Sequence, residues 1–365
     1  MKYFAIMLPK VAIIYLSYNS RPYLDDVVLS LEQLNYPKDQ LDLIIVDNAS
    51  PDNSTDLIRE TVLPKSGQSL PEVTFFPSGE NLGFAEGNNL GLEHALSEGA
   101  DYVFLLNNDA KLHPDSIMEA VKLAESDAKI GSVQPLIMLW QDENIINSTG
   151  GMIHFLGFGF VRDNGRQLSK VKITNGEEIA YSSGAAVLYR ASALRAVGLL
   201  DPYLFLYHED LQLGWRLHLA GYKNVLCSVA VVYHLYEFKR SVSKFFWMER
   251  NRILVHFACL KLATLILLIP FLLLLEITLF FFGLKGHWVK DKLLVWWELI
   301  QPKTWKYIIK TRKEIQATRQ ASDREILRLF TAKVEHQATS NFVVNYLGNP
   351  LLSAVWWLMK KIIFW

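Results

Sequence analysis

Cysteine is almost absent. Two residues among 365 cannot build a disulfide framework or a cysteine-rich zinc site, and a reducing compartment is the natural setting. Glycine-rich phosphate loops are missing as well. No strand-to-helix junction carries G-x-G-x-x-G or G-x-x-x-x-G-K, so the dinucleotide and P-loop readings lose support. There are no internal repeats and no low-complexity tract. The apolar start, residues 1–8, is broken at once by Pro9 and Lys10 with no small-residue cleavage site, so it does not read as a signal peptide. Net charge is also lacking, with 37 basic residues against 37 acidic ones.

That balance hides a division. Positions 1–238 carry 17 basic and 29 acidic residues, whereas 239–365 carry 20 and 8. The acidic front half is a poor nucleic-acid binder, and no nucleic-acid partner is expected. The basic back half holds the most apolar run of the chain, a combination that suits a membrane surface before DNA. With 51% hydrophobic and 20% charged residues the chain is not a disordered polymer. Its length suits one large domain or two modest ones.

Strands and helices alternate through the first half. Val11–Leu16, Leu41–Val46, Val73–Phe76 and Tyr102–Leu106 predict strands, and Pro22–Leu34, Thr55–Leu63, Phe84–Leu96 and Pro114–Glu125 predict helices. The order predicts an α/β fold with a mostly parallel, Rossmann-like sheet covered by helices on both faces. Ligands of such sheets bind at the carboxyl ends of the strands. Those ends carry Ser17-Tyr18-Asn19, Asp47-Asn48-Ala49-Ser50, Asn81-Leu82-Gly83-Phe84-Ala85-Glu86-Gly87-Asn88-Asn89 and Asn107-Asn108-Asp109. Asp47 and Asn48 taken alone could merely cap a turn. Four polar exits on one edge point to a site.

Residues 131–184 read as glycine-rich and polar loops. An apolar stretch at Val187–Tyr189 and a helix at Ala191–Val197, stopped by Gly198, follow. The segment Asp201 to Asp210 then runs into a helical pattern over Leu211–Ala220, with Asp210 where an N-cap belongs. A cap alone is one reading of Asp210. The strand-like Val225–Val232 delivers His234 at its far end, where a lone histidine is often an ordinary hydrogen-bonded residue.

Together these segments resemble the inverting family 2 glycosyltransferases with a GT-A fold, and within them the rhamnosyltransferase-like branch. The resemblance rests on Tyr18-Asn19, Asp47 to Ser50, Asn81 to Asn89, Leu106 to Asp109, Gly198-Leu199-Leu200-Asp201, and Glu209-Asp210 followed by Trp215-Arg216 and Ala220-Gly221-Tyr222. It covers roughly residues 11–240. It implies a GT-A nucleotide-diphospho-sugar transferase fold and a nucleotide-sugar donor bound by Tyr18, Asn19, Asp47, Asn48, Gly83, Asn88 and Asn107. It implies a divalent ion, Mg²⁺ or Mn²⁺, on Asp109 and His234. Asn107-Asn108-Asp109 departs from the family's usual Asp-x-Asp, because its first position is an amide. Oxygen-rich sites completed by phosphates suit these ions, which act on the leaving group as Lewis acids. Asp210 is implied as the general base, with Glu209 beside it orienting acceptor or base. The helix dipole is expected to keep the Asp210 carboxylate ionised. Arg216 is expected to be structural rather than a pyrophosphate ligand.

The back half suggests attachment. Residues 1–240 are expected to form the catalytic domain and 241–365 a helical, membrane-associated region around an apolar segment at 262–282. That segment is long enough to cross a bilayer core of ~30 Å, but it contains Pro270 and Glu276. It is flanked by Arg250, Arg252 and Lys261 on one side and Lys285, Lys290 and Lys292 on the other. A span, an in-plane or re-entrant helix, and a buried soluble helix are the three readings. Trp296, Trp297, Trp305, Trp356 and Trp357 among lysines have an interfacial composition. Tryptophans packed on the catalytic domain are the plainer alternative. The expected enzyme sits on the cytoplasmic face of a membrane and acts on a lipid-linked glycan or polysaccharide in cell-surface polysaccharide or O-antigen synthesis. A nucleotidyltransferase and a non-catalytic membrane scaffold are the alternatives. A chain ended near Arg250 is expected to be soluble and to bind donor.

Overall fold

Seven consecutive buried residues make β1 (Val11–Ser17) an interior strand, as a continuous apolar run should be when helices cover both faces. The computed structural model describes residues 8–236, 244–286, 288–334, 346 and 348–365. β1 pairs in parallel with β2 (Leu41–Asp47) and β4 (Tyr102–Asn107), and β2 with β3 (Glu72–Pro77). Register places Ser17 beside Asp47, and Leu16 beside Asn107, so the polar exits share one edge. Side chains alternate across the sheet. Ile13, Tyr15, Leu43, Ile45 and Phe104 face α1 (Leu24–Glu32) and α4 (Ser116–Glu125), while Ile14, Leu16, Ile44, Val46 and Leu105 face α3 (Gly83–Ser97) and α5 (Ala191–Val197). Only four residues of the short α2 (Ser54–Leu57) are α-helical, and the chain continues as a π turn to Val62.

The other half of the sheet is mixed. The order is β3-β2-β1-β4-β10-β6-β11-β5, with β7 on β6. β10 (Ala186–Arg190) runs antiparallel between β4 and β6 (Ile130–Leu139), and β11 (Lys223–His234) is parallel to β6. β5 (Ala110–Leu112) and β7 (Asp142–Ser148) are antiparallel to their neighbours. A small second sheet holds β8 (Gly151–His154), β9 (Gly159–Val161) and β12 (Phe330–Thr331).

Residues 131–161 are therefore not the loops expected, whereas 162–184 are mostly irregular, with one short turn at Leu168–Lys170. β6 carries Gly131, Ser132, Gln134 and Pro135, which mask a strand, yet nine of its ten residues are buried. Ser132 donates to Asn224 at 2.7 Å and Gln134 to Ser148 at 3.1 Å, so the polar side chains are satisfied inside. Pro135 has no N–H to give a central ladder. It sits where β11 bulges, between the pairs Cys227–Pro135 and Val231–Leu136.

Helices α7 (Phe245–Cys259), α8 (Leu262–Gly286), α9 (Val289–Leu299), α10 (Pro302–Thr318), α11 (Asp323–Leu327) and α12 (Asn349–Ile362) follow. One apolar core joins Ile153, Phe155, Leu211 and Trp215 to Leu254, Leu265, Ile308 and Trp356. The division expected near residue 240 lies outside the described residues, but this core draws on both sides of it. α8 is the one described helix long and apolar enough to cross a membrane by length and composition, over Leu262–Leu284. Arg252 and Lys292, read as basic flanks, are interior. The Lys285 side chain lies outside the described residues. Trp356 is buried and stacked on Phe155, with ring centroids 5.0 Å apart, whereas Trp297, Trp305 and Trp357 are exposed.

Candidate active site

At the exit of β2, Asp47 is buried and fully engaged. It accepts from the hydroxyls of Ser17 (3.0 Å), Ser50 (2.6 Å) and Thr55 (2.6 Å) and from the Ser50 N–H. These bonds fix the turn 47–50 against the exit of β1. There Tyr18 and Asn19 are exposed, and Asn19 N–H donates to Ser50 at 3.1 Å. Asn48 faces inward. Its amide donates to Asn81 and the Gly83 carbonyl and accepts from Leu82 N–H, which ties β2 to the start of α3. Asn88 is buried and donates to Phe84 O one turn back. Asn89, not singled out from sequence, clamps both backbone groups of Leu200.

Gly83 begins α3 at φ +76°, and a Cβ there would lie 2.6 Å from the Phe205 carbonyl oxygen. That oxygen accepts from Phe84 and Ala85 N–H, so the loop before α6 (Glu209–Leu219) docks on the α3 N-terminus. The loop is strained: Phe205, Tyr207 and His208 all have positive φ. With Asn19 and Ala49 they make five of the seven described non-glycine residues in that region, all five at this edge of the sheet. Such strain persists only where surroundings impose it. Here Asn251 of α7 shares its amide hydrogens among the carbonyls of Leu204, Leu206 and Tyr207.

His208, not Asp210, occupies the N-cap of α6, in a left-handed conformation. Asp210 is therefore in the first turn. Its Oδ2 accepts from Gly184 N–H at 3.0 Å and its Oδ1 from Leu211 N–H at 2.7 Å. The helix dipole expected to keep this carboxylate ionised is opposed by burial. Burial raises the Asp210 carboxyl, and the Gly184 and Leu211 N–H groups offset only part of that. Glu209 is raised well above the carboxylate range by burial and by the neighbouring Asp210, and its Oε2 has no hydrogen-bond partner.

The loop that holds Asp210 also reaches the exit of β4. Asn107 N–H donates to Ala185 O at 3.0 Å, one residue from the Gly184 N–H on Asp210. Two residues beyond Asn107, Asp109 Oδ1 lies 3.2 Å from His234 Nε2. The pairing of β5 with β11, His234 opposite Ala110, brings them together. Asn147, missed in the sequence, sets the ring. Its amide donates to Asn164 Oδ1 at 3.3 Å, so its own oxygen faces His234 Nδ1 at 2.9 Å. Nδ1 then carries a proton, and Nε2 faces the carboxylate oxygen of Asp109. An imidazole nitrogen and a carboxylate oxygen this close form a donor set that suits a divalent cation, and a hydrogen-bonded outer partner is what metal-bound histidines have. Asp109 and His234 therefore fit a divalent ion. Among the described residues there is no cluster of three or more His, Cys, Asp or Glu, so phosphate and water oxygens would complete the shell.

Gln134, also missed, accepts from Ser183 N–H at 2.9 Å and steadies the same loop. Arg216 is structural, as expected. It donates to the carbonyls of Val197, the last residue of α5, and of Leu199 beyond it.

A family model described as glycosyl transferase family 2 matches residues 12–198, and one described as glycosyltransferase (GlcNAc) matches residues 150–347. The chain is 29% identical over 195 residues to galactofuranosyltransferase GlfT1 of Mycobacterium tuberculosis, covering 53% of this chain and 60% of that one. It is 28% identical over 247 residues to the N-acetylglucosaminyl-diphospho-decaprenol L-rhamnosyltransferase of the same species, covering 62% and 76%. The mannosyltransferase PcManGT of Pyrobaculum calidifontis, solved with GDP-Man and Mn²⁺, shares the fold with a TM-score of 0.51 at 15% identity over 86% of each chain. GalNAc-T7, solved with UDP, GalNAc and Mn²⁺, gives 0.54 at 16% identity over 68% of this chain and 48% of its own. The fold is thus the GT-A fold expected. The first family model spans more than half of the chain and contains the four polar strand exits, and on that match the chain belongs to glycosyl transferase family 2.

Proposed function

We propose that this chain transfers a sugar, with inversion, from a nucleotide-diphosphate donor to a hydroxyl of a lipid-linked glycan in cell-surface polysaccharide synthesis. The observation that carries this reading is the loop Ser183–Ala185, which links the metal-fitting pair at the β4 exit to the carboxylate of Asp210. Tyr18 and Asn19 are the exposed donor contacts, and Asp47 shapes the nucleotide's seat. Asn48, Gly83 and Asn88 act by positioning the turn at the start of α3. Asn107 hydrogen-bonds the donor beside the metal ligands Asp109 and His234. A bound Mg²⁺ or Mn²⁺ supplies Lewis-acid stabilisation of the departing diphosphate. Asp210 takes the proton of the acceptor hydroxyl. The oxygen attacks the anomeric carbon, and the bond to the diphosphate breaks on the opposite face. Glu209, buried beside it, orients the base.

The substrate classes follow the relatives. One is named for transfer to an N-acetylglucosaminyl-diphospho-decaprenol, and another, of Staphylococcus aureus, is a poly-beta-1,6-N-acetyl-D-glucosamine synthase. We assign the chain to the cytoplasmic face of a membrane, where nucleotide-sugars and such acceptors meet, and its attachment to the C-terminal helices. The test is a panel of nucleotide-sugars offered to the full-length protein with a polyprenyl-diphosphate-linked N-acetylglucosamine. Release of nucleoside diphosphate should require one donor, the acceptor and a divalent ion. Release from no donor, or release unchanged by Asp210→Asn, defeats the proposal.

A further inference from the structure

The distribution of charge on α8 separates its two faces. Its exposed side carries Leu262, Ile266, Ile269, Leu273, Ile277 and Phe281, spaced three or four residues apart on one helical stripe. No charged residue of Leu262–Leu284 lies on that side. The one charge in the segment, Glu276, points inward. It pairs with Arg252 of α7 and, at 2.7 Å, with Lys292 of α9, and it accepts from Trp296 at 2.7 Å. Arg252 and Lys292 also hold Glu249, and these three partners are buried. A helix facing water would have the reverse arrangement, with charge outside and hydrocarbon within.

We infer that α8 lies in the plane of an anionic lipid surface, its outer stripe in the acyl boundary and its inner face fixed to the catalytic domain, and does not cross the bilayer. Two observations decide against a span. Glu276 sits near the middle of a 25-residue helix that is ~37 Å long. Crossing would carry Glu276 to the bilayer centre and either strip Arg252 and Lys292 of their partner or drag them along. Buried ions that lose a partner are strongly unfavourable. Second, α9 folds back along the C-terminal half of α8. Phe280 and Trp296 stack with centroids 5.3 Å apart. The 11 residues of α9 include Lys290, Asp291, Lys292 and Glu298 and are too short and too charged to enter the hydrocarbon beside a span.

Lipid is the occupant that fits. The region from residue 239 onward carries 20 basic against 8 acidic residues. Exposed tryptophans accompany lysines there: Lys361 Nζ lies 3.7 Å from the Trp357 ring centroid. An apolar stripe plus a basic surround gives two independent attractions to an anionic bilayer, which stable anchoring needs.

The inference rests on the membrane attachment proposed above, and the experiment separates the two. Full-length protein bearing Lys290→Cys, or Glu98→Cys in the catalytic domain as reference, is reconstituted by detergent removal into sealed phosphatidylglycerol–phosphatidylcholine vesicles. Cys227 and Cys259 are buried and stay in place. An impermeant maleimide should label both positions from the same side. Spin labels at Ile266→Cys, Leu273→Cys and Phe281→Cys should report one shallow depth. Protection of position 290 while position 98 reacts, with position 273 deepest, overturns the in-plane placement and keeps attachment. Protein that floats free of the vesicles overturns both.

Discussion

In the proposed reaction the chemistry depends on a single carboxyl, that of Asp210. Asp210→Asn should lower kcat by about 10²–10⁴-fold, the usual loss of a general base, and leave donor affinity nearly unchanged in a calorimetric titration. Because burial raises its carboxyl, only the ionised form, present above that raised value, can accept the proton. The acid limb of the pH–rate profile should therefore lie above the ordinary carboxylate range and vanish in the variant. Glu209 gives a stability prediction. Its folded-state value is raised, so the native state keeps a proton that the unfolded chain loses near pH 4.3. Between those values the unfolded chain binds fewer protons, and stability falls as pH rises. Glu209→Gln should remove that loss, so its gain in Tm over wild type should be larger at pH 7.5 than at pH 4.5. An equal gain at both would show that the group ionises normally. In the sequence the pair stood out through the family resemblance, as two acids before a helical pattern. Its environment was not, since Gly184 and Leu211 reach it only through the fold.

Strand exits were the readable elements. β1, β2 and β4 are buried on both faces, so their apolar runs end sharply and expose Asn, Asp or Ser at the carboxyl edge. β6 and β7 were not readable. Burial of β6 is shared with polar side chains that find partners across the sheet, and only the last three residues of β7 are buried. Asn147 was lost with β7, although it follows Ile145-Ile146 as a polar strand end like the other four. Its effect is testable. Asn147→Ala frees the His234 ring, and removal of such an outer partner costs about 10–100-fold in metal affinity. Titration of Mn²⁺ in the presence of nucleoside diphosphate should show that shift, with near-normal activity at saturating metal. At the other end of the site, Gly83→Ala places a Cβ against the Phe205 carbonyl at positive φ. It should destabilise the fold by about 1–3 kcal/mol by urea denaturation and loosen the loop before Asp210, lowering kcat as well.

At the scale of the whole molecule, the acidic front and basic back suggest two bodies, but burial does not follow that division. A cut near Arg250 falls inside α7, after Asn251's neighbour and before Asn251 itself. It removes the amide that holds the carbonyls of Leu204, Leu206 and Tyr207, and with it the support of three positive-φ positions. It removes His256, whose Nε2 bonds Phe155 O at 3.0 Å, and Arg252, which donates to Leu156 O at 3.1 Å. It also uncovers Ile153, Phe155, Leu211 and Trp215, which share a core with Leu254, Leu265 and Ile308. Each large apolar side chain returned to water costs about 1.5–3 kcal/mol, against a net stability of about 5–15 kcal/mol for a domain. The expectation of a soluble, donor-binding fragment is thereby reversed. A chain ended at residue 250 should aggregate or bind no donor. A full-length chain with Leu273→Gln and Ile277→Gln on the outer stripe of α8 should instead keep its fold and donor binding, because both side chains are exposed and neither belongs to that core. Thermal melts and donor titration of the two proteins distinguish the cases, and a folded, donor-binding 1–250 fragment would show that α7 is an appendage.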